Sequence, residues 1–468
     1  MVWTFAQQFG NQIIGFIISM VLARLLMPEE FGLIGMIAVF VSVGKVLVDS
    51  GLTQSLIRTK DPDQGDFSTV FYFNLVTSIL IYGIIYFSAP LIASFYEQNI
   101  LTNIIRLYCI IFIIDAFSTV QRTRMTKRLD FKTQTIVSIP STILGGVVGL
   151  SMAYSGYGVW SLVWSNISSS FLSSIQFWIY SKWTPDLKFS AQKFKDHFNF
   201  GYKLMFSSLL EKVFSNIYLI VIGKYFSAGQ VGFYTRAETM KQLPVRNISS
   251  ALGKVTYPLF ASIQDDNVRL KRVYKQLMQI VVFVIAPTLI FLAILAEPIF
   301  VFLFTEKWLP AVPFFQILCI TGILYPIHSY NLNVLKVKGR SDLVLKLSVY
   351  KKILTVIGIV IGIQFGIFGL LYAQIILSFL VFFINAYYTE KFINYPAFEQ
   401  IKDIVPIILL ALIGGAAVYG LDQFIIDQTN FIRITLGILL GTLTYLVFSY
   451  LIKLDGLVKL VELIRKRN

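Results

Sequence analysis

Charged side chains occur inside several long apolar segments of this 468-residue chain. A charge in the middle of a bilayer costs roughly 2.5–3.5 kcal/mol on insertion scales, so such residues usually face water or a partner. Eight of these residues are basic and four are acidic. They are Arg24, Lys45, Asp49, Arg106, Asp115, Glu211, Lys212, Arg236, Glu238, Lys241, Arg246 and Lys254. A hydrated cavity with this excess of cations would bind an anion, and lysine and arginine suit phosphate or pyrophosphate.

The densest cluster lies in the eighth apolar segment. Arg246, Ser249, Ser250, Gly253 and Lys254 follow a spacing of three to four residues, which places them on one stripe of a helix. We therefore predict that Arg246 and Lys254 line a cavity that binds an anionic substrate. The further candidates for this cationic cavity are Arg24, Lys45, Lys212, Lys224 and Arg236. The alternative for Arg24 and Arg236 is that they extend to the membrane interface.

Three acidic residues are candidates for ion coupling: Asp49, Asp115 and Glu211. Lys45 and Asp49 are four residues apart, so they could pair on one helix face. A local structural ion pair is the alternative to a role of these two residues in transport.

The composition of the chain predicts an integral membrane protein. Hydrophobic residues make up 56% and charged residues only 14%, and the mean hydropathy is +0.72; a soluble protein has roughly 25% charged residues. Fourteen apolar segments are long enough to cross a bilayer. They are 4–27, 33–57, 69–95, 100–120, 133–154, 157–181, 201–224, 231–262, 277–304, 311–335, 343–364, 367–389, 404–421 and 431–452. These runs are too long for barrel strands, so we expect an all-α integral membrane fold with about 14 transmembrane helices.

Lysine and arginine are distributed unevenly among the connections. The connections after even-numbered segments and the C-terminal tail are basic, whereas the others hold Lys224 and Lys307 alone. The positive-inside rule then places both termini in the cytoplasm of a bacterial inner membrane. This pattern accounts for most of the net charge of +15, so no nucleic-acid partner is expected, and membrane lipids surround the protein.

The first half of the sequence resembles the second at an offset near 200 residues. Residues 22–36 align with 222–236, and 157–163 align with 365–371. Each repeat contains six segments, which makes the repeats parallel. We expect two six-helix lobes around a central cavity, followed by two extra C-terminal helices. The predicted boundaries are 1–181 for the first lobe, 182–200 for a cytoplasmic linker, 201–389 for the second lobe, and 390–468 for helices 13–14 and the tail.

Motifs of enzymes and metal sites are missing from the sequence. Cys109 and Cys319 are far apart, and no P-loop, HExxH, GxSxG or CxxC pattern occurs. His197 and His328 are isolated, and we expect each to be a satisfied or solvated histidine. We expect no cofactor and no metal, and a transporter rather than an enzyme. A membrane glycan polymerase or ligase is the best enzymatic alternative, but it would need a large outside loop, which is not present.

Four sequence stretches carry a family resemblance. LARLLMPEEFGLIGM (22–36) and VDSGLTQSLIR (48–58) stand in the first half, and VIGKYFSAGQVGFYTRAETMKQLPV (221–245) and YPLFASIQDD (257–266) stand in the second. Together they resemble the Wzx-type polysaccharide and O-antigen repeat-unit flippases. These flippases belong to the multidrug/oligosaccharidyl-lipid/polysaccharide exporter superfamily.

The resemblance implies alternating access by two lobes and a monomer. It also implies a cargo, an undecaprenyl-pyrophosphate-linked oligosaccharide repeat unit moved from the cytoplasmic to the periplasmic leaflet, and polysaccharide polymerase machinery as a further partner. Many members of that family carry an acidic residue at the position of Tyr218, so the resemblance gives no ion-coupling residue at that position. The alternative function is a cation-coupled small-molecule (multidrug) exporter of the same superfamily, which twelve spans and an acidic cavity would favour.

The charge distribution makes a prediction about topology. Arg124→Cys and Lys338→Cys place thiols in two basic connections, which we expect to face the cytoplasm. An impermeant maleimide added to intact cells should leave both thiols unlabelled, and permeabilised cells should show labelling of both. Labelling from outside would invert the topology.

Overall fold

The computed structural model describes residues 2–459, and for residues 2, 4–6, 250–252, 254 and 255 it describes the backbone alone. The described part of the chain is helical and contains no strand. It forms two compact units, and the boundary falls between Thr235 and Arg236. We call the residues up to Thr235 unit 1 and those from Arg236 unit 2. The lobes and linker deduced from the sequence repeat remain a prediction.

Unit 1 contains ten helices in its described part and the first residues of an eleventh. The ten are α1 (Val2–Leu25), α2 (Pro28–Asp49), α3 (Leu52–Arg58), α4 (Gln64–Phe95), α5 (Ile100–Tyr108), α6 (Ile111–Lys127), α7 (Phe131–Tyr154), α8 (Val159–Ser181), α9 (Ala191–Ser215) and α10 (Ile217–Tyr225). The unit boundary lies within α11 (Ala228–Ser262).

Unit 2 continues with seven further helices in its described part. They are α12 (Asn267–Ile294), α13 (Ala296–Phe304), α14 (Val312–Val337), α15 (Ser341–Gly362), α16 (Gly366–Ile393), α17 (Ala397–Phe424) and α18 (Asn430–Leu451). Short 3₁₀ turns precede α14 (Glu306–Ala311) and α16 (Ile363–Phe365).

The all-α membrane fold is confirmed, and each of the fourteen predicted segments overlaps a helix or a broken pair of helices. By length and apolarity, ten described helices could cross a membrane, or eleven if the bent pair α9 and α10 forms one span. The stretch Ser341–Ile393 counts once in that number although it holds both α15 and α16. The exact number of fourteen spans therefore stays a prediction.

Two glycines at equivalent positions of the sequence repeat lie against each other's helix. A Cβ atom added to Gly32 would lie 1.7 Å from the Ala228 carbonyl oxygen, and one added to Gly232 would lie 2.0 Å from the Pro28 carbonyl oxygen. Pro28 and Ala228, like the two glycines, are 200 residues apart. The contact between α2 and the first turns of α11 is therefore reciprocal within unit 1. Only glycine permits this approach of the two backbones.

Polar side chains tie α3, α4 and α9 together in unit 1. His197 on α9 is buried, with its Nδ1 2.8 Å from Ser55 Oγ and its Nε2 3.1 Å from Asp66 Oδ1. Lys193, one turn earlier, forms ion pairs with Asp63 and Asp66. Asp63 also caps α4 by accepting a hydrogen bond from the Asp66 backbone N–H. His197 is thus a satisfied buried histidine, as predicted.

A buried hydrogen-bond network joins four helices of unit 2. The Asn331 Oδ1 on α14 accepts hydrogen bonds from Tyr274 Oη at 2.9 Å and from Thr389 Oγ1 at 2.6 Å. Its amide nitrogen donates to Gln400 Oε1 on α17 at 3.4 Å. Because polar groups inside a membrane protein need partners, this network fixes how α12, α14, α16 and α17 face one another. His328 is also bonded, to Ser378 and Asn385, as predicted for a satisfied histidine.

Two Arg–Asp pairs of unit 2 allow a matched test of what stabilises it. Arg433 donates two hydrogen bonds of 2.8 Å to the Asp422 carboxylate, and the two side chains are only 10% and 7% exposed. Arg340 and Asp342 form a similar two-point pair, but these side chains are 42% and 60% exposed. Breaking a buried pair leaves an uncompensated charge and costs about 3–5 kcal/mol.

We expect Asp422→Ala to lower the melting temperature of the detergent-purified protein, because it leaves Arg433 buried and unpaired. Asp342→Ala should leave the melting temperature nearly unchanged, because water solvates Arg340. Circular dichroism measures both, and the double variant Asp422→Leu/Arg433→Leu should recover part of the loss. Equal shifts of the melting temperature in the two single variants would show that the contribution of the Asp422–Arg433 pair to stability does not depend on its burial.

Candidate functional site

A polar cavity of about 320 Å³ lies within unit 1 between α2 and α9. Its walls also include apolar parts of Val46, Leu204 and Met205. Its polar lining side chains are Ser42, Lys45, Asp49, Gln54, Ser208 and Lys212. Three of the predicted site residues, Lys45, Asp49 and Lys212, therefore meet at one cavity.

Helix periodicity and one close backbone contact place these side chains. Ser42, Lys45 and Asp49 are three and four residues apart, so they form one stripe of α2. The two helices touch where α2 ends: a Cβ added to Gly51 would lie 2.4 Å from the Gly201 carbonyl oxygen. Gly51 also has a φ of +73°, which favours glycine. Away from this contact, the side chains of α2 and α9 enclose the cavity.

An ion pair between helices stands at one wall of the cavity. The Lys45 Nζ lies 3.0 Å from Asp115 Oδ2 on α6, and Asp115 Oδ1 accepts a hydrogen bond from Ser170 Oγ on α8. The Lys45 and Asp115 side chains are 51% and 29% exposed, so the protein does not enclose the pair. This arrangement corrects the Lys45–Asp49 pair considered from the sequence. Asp49 instead accepts a hydrogen bond from Thr53 at the start of α3.

The lining of this cavity carries two cations, Lys45 and Lys212, and one carboxylate, Asp49. Asp115 is not part of the lining, but its carboxylate pairs with Lys45 from α6. Lys212 is exposed, and within the described part of the chain it has no carboxylate partner. The cation-rich cavity between two lobes that the sequence predicted stays a prediction. The unit 1 cavity is a polar site at which the Lys45 ammonium already has a carboxylate partner, Asp115.

The other predicted residues of unit 1 lie away from this cavity. Lys224, in the last turn of α10, forms an ion pair of 2.9 Å with Glu97 and lies 5.4 Å from the centre of the Phe95 ring. Arg24 is exposed in the last turn of α1. Glu211 is exposed on α9 next to Lys212, but it is not part of the cavity lining.

The remaining predicted residues lie on α11 in unit 2. Arg236 is only 5% exposed, and its guanidinium lies 4.7 Å and 4.9 Å from the ring centres of Phe304 and Trp308. This cation–π packing favours a structural role for Arg236. Arg246 is exposed. The Lys254 side chain lies outside the described residues, so its predicted place on a cavity wall stays a prediction.

Sequence reasoning missed several polar residues of the cavity. Ser42 precedes Lys45 by three residues and Ser208 precedes Lys212 by four, so the same helical spacing that was applied to α11 would have found them. The partnership of Lys45 with Asp115 has no signal in the spacing, because it depends on how α2 and α6 pack. No group of three or more His, Cys, Asp or Glu residues that could hold a metal occurs in the described part of the chain.

Comparison with protein families gives a match over more than half of the chain. The family model described as "Polysaccharide biosynthesis protein" matches residues 21–313. That range includes the whole of the unit 1 cavity and α11.

Relatives with assigned names agree with this family. The chain is 30% identical over 302 residues to the teichuronic acid biosynthesis protein TuaB of Bacillus subtilis, which is 64% of this chain and 62% of that protein. The matched region thus spans less than two thirds of the length of TuaB. The chain is also 24% identical over 378 residues to the lipopolysaccharide biosynthesis protein WzxC of Escherichia coli, covering 79% of this chain and 77% of WzxC.

Solved structures show the fold. The lipid II flippase MurJ in an inward closed conformation matches with a TM-score of 0.76 and 16% identity, over 96% of this chain and 98% of MurJ. An inward-facing MATE-family transporter of the MOP superfamily matches with a TM-score of 0.63 and 15% identity, over 82% of this chain and 95% of that one. The chain therefore belongs to the family of polysaccharide biosynthesis proteins, which confirms its resemblance to the Wzx-type flippases of the multidrug/oligosaccharidyl-lipid/polysaccharide exporter superfamily.

Proposed function

We propose that this protein is a flippase that moves undecaprenyl-pyrophosphate-linked polysaccharide repeat units from the cytoplasmic to the periplasmic leaflet by alternating access. Its relatives TuaB and WzxC are named for the biosynthesis of teichuronic acid and lipopolysaccharide. A third relative, 25% identical over 330 residues, is the succinoglycan biosynthesis transport protein ExoT of Rhizobium meliloti. Three chemically different polymers share this kind of protein, which supports a cargo recognised partly through its common lipid-linked end.

The observation that carries the proposal is the partly exposed Lys45–Asp115 pair at a polar cavity between apolar helices. A charged pair within a membrane-spanning unit is costly, and the residues that form such a pair usually have a functional role. Solvent-exposed ion pairs contribute only about 0–1 kcal/mol, so a stronger anion can displace one partner at little cost. A pyrophosphate group would replace the Asp115 carboxylate as the partner of Lys45. Lys212 on the opposite wall would then supply a second ammonium.

This exchange leaves Asp115 without its cation, and that suggests how transport couples to an ion gradient. The freed carboxylate would take up a proton or a small cation, and Ser170 Oγ already donates a hydrogen bond to it. Asp49 is the second carboxylate at this cavity, and Glu211 the weaker third candidate because it lies outside the lining. Release of the cargo would let Lys45 return to Asp115 and expel the ion.

A cation-coupled exporter of small molecules is the second candidate. It is favoured by the two carboxylates at the cavity, which would suit an organic cation. The likeness to the MATE transporter supports the fold alone at 15% identity. The two functions differ in the partner of Lys45. A pyrophosphate would pair with Lys45, whereas an organic cation would gain nothing from Lys45 and Lys212.

The surroundings of the protein follow from the same proposal. The distribution of basic residues supports a multi-pass protein of the bacterial inner membrane with both termini in the cytoplasm. We further propose that it works as a monomer and delivers its cargo to polysaccharide polymerase machinery on the far side.

We expect Lys45→Ala to reduce surface polymer by about tenfold or more, since a hydrogen bond to a charged group contributes roughly 1.5–3 kcal/mol. Lys45→Arg should keep part of the activity because it keeps the charge. The measurement is the amount of surface polymer, with accumulated lipid-linked repeat units, in a deletion strain that carries each variant. Lys224→Ala is the matched control, because Lys224 is also ion-paired in unit 1 but lies outside the cavity.

Asp115→Asn distinguishes the two candidate functions. For an anionic cargo, Lys45 is released and cargo binding tightens, while release becomes slow and export falls. For a cationic cargo, binding itself weakens. Normal polymer in both Lys45→Ala and Asp115→Asn, at normal protein levels, would remove this cavity from the transport pathway.

A further inference from the structure

A second polar cavity, of about 680 Å³, lies within unit 2 and has no role in the mechanism above. It is formed by the later part of α11, the last turns of α14 and the turn that leads to α15. Its lining residues are Gly253, Tyr257, Ser329, Asn333, Lys336, Gly339 and Ser341. Its volume is within the range of roughly 300–1,000 Å³ that is usual for small-molecule sites.

Helix α14 presents this cavity with a fixed row of polar side chains. Ser329, Asn333 and Lys336 are four and three residues apart, so they lie on one stripe. Asn331 lies on the opposite face, where Tyr274 and Thr389 bind it in the buried network. The network therefore sets the rotation of α14 and holds the polar stripe in place before any ligand arrives.

Asn333 is the unusual member of the stripe. Its side chain is only 9% exposed, and no hydrogen bond to it is found within the described part of the chain, but its polar atoms keep some open surface. The amide oxygen and nitrogen can therefore accept from and donate to a ligand in the cavity without first breaking a bond to the protein. The cavity beside it has open space, since a Cβ added to Gly253 or Gly339 would meet no atom within 4 Å.

The chemistry of the lining fits a sugar better than a phosphate or a lipid chain. Lys336 is the one cation among the lining residues, whereas phosphate sites gather several. The amide and the two serine hydroxyls both donate and accept hydrogen bonds, as sugar hydroxyl groups require. Tyr257 is 46% exposed and offers an aromatic face for the apolar side of a pyranose ring.

We propose that this cavity binds a sugar residue of the lipid-linked oligosaccharide. The Asn333 amide bonds two neighbouring hydroxyl groups, Tyr257 stacks on the ring, and Lys336 bonds a hydroxyl or carboxylate group of the sugar. The proposal rests on the proposed function and adds to it the part of the cargo that is recognised apart from its diphosphate.

Photo-crosslinking in living, polymer-producing cells tests the contact directly. The full-length protein carries p-benzoylphenylalanine at Ser329 in the cavity or, as a control, at Tyr372, which is 53% exposed on α16 outside the cavity. After irradiation, mass spectrometry of the labelled peptides measures attached hexose or hexuronate. We expect sugar adducts at position 329 and at least about tenfold fewer at 372. Equal adducts at both positions, or adducts that contain lipid without sugar at 329, would overturn the proposal.

Matched variants test whether the contact matters for export. Asn333→Leu and Tyr257→Ala should each reduce surface polymer by about tenfold, since each removes a contact to a buried polar ligand. Tyr450→Ala is the control for Tyr257→Ala, because Tyr450 is exposed in unit 2 away from the cavity. The melting temperature of each purified variant shows whether it folds.

The outcomes separate this inference from the proposed function. If cavity variants that melt normally still export polymer at the control level, the sugar site is wrong, while a defect in Lys45→Ala would leave the flippase proposal standing. If deletion of the whole gene leaves polymer export unchanged, the proposed function fails and the sugar site fails with it.

Discussion

Inside a bilayer every polar group needs a partner from the protein or a path to water, because hydrocarbon offers neither. The described helices meet this constraint in different ways. Arg433 and Asp422 bury a two-point ion pair, and the Asn331 network joins four helices of unit 2. Lys45 and Asp115 instead pair at the wall of a polar cavity, where both side chains are partly exposed. Asn333 meets the constraint in a third way, with an amide that has no hydrogen bond within the described part of the chain but keeps some open surface beside a polar cavity.

Glycine decides where helices touch, and thereby where cavities can form. Between α2 and α9 the backbones meet at Gly51 and Gly201, and the polar stripes of both helices then border open space. At the other end of α2, Gly32 and Gly232 form a reciprocal contact between residues 200 positions apart. Such a contact is expected if the sequence arose by an ancient duplication and the two copies of the same helix end packed against each other. Helix α2 is therefore anchored by glycines at both ends and carries the charged stripe between them.

Much of the fold could be predicted because lipid selects long apolar segments, and each predicted segment overlaps a helix. The candidate site was only partly predictable. The composition and spacing of α2 identified Lys45 and Asp49, but the partner of Lys45 is Asp115 on α6, and the rotation of two helices cannot be deduced from one sequence. The packing of Arg236 against Phe304 and Trp308 was equally unpredictable, because the spacing of these residues in the sequence does not indicate that they meet. Asn333 carried a signal, its spacing from Ser329 and Lys336, but it is uncharged and so did not stand out.

The contrast between the two ion pairs suggests why a lysine serves at the cavity. Arg433 holds Asp422 with two parallel hydrogen bonds in a site that is nearly closed to water, and such a pair resists exchange. Lys45 meets Asp115 through one ammonium contact, and half of its side chain is exposed. A lysine ammonium is a compact point charge on a flexible stem, so it can follow a new anion without losing a fixed geometry. A transporter must bind its cargo and also release it, and an ion pair that contributes little on its own can be broken and remade in each cycle.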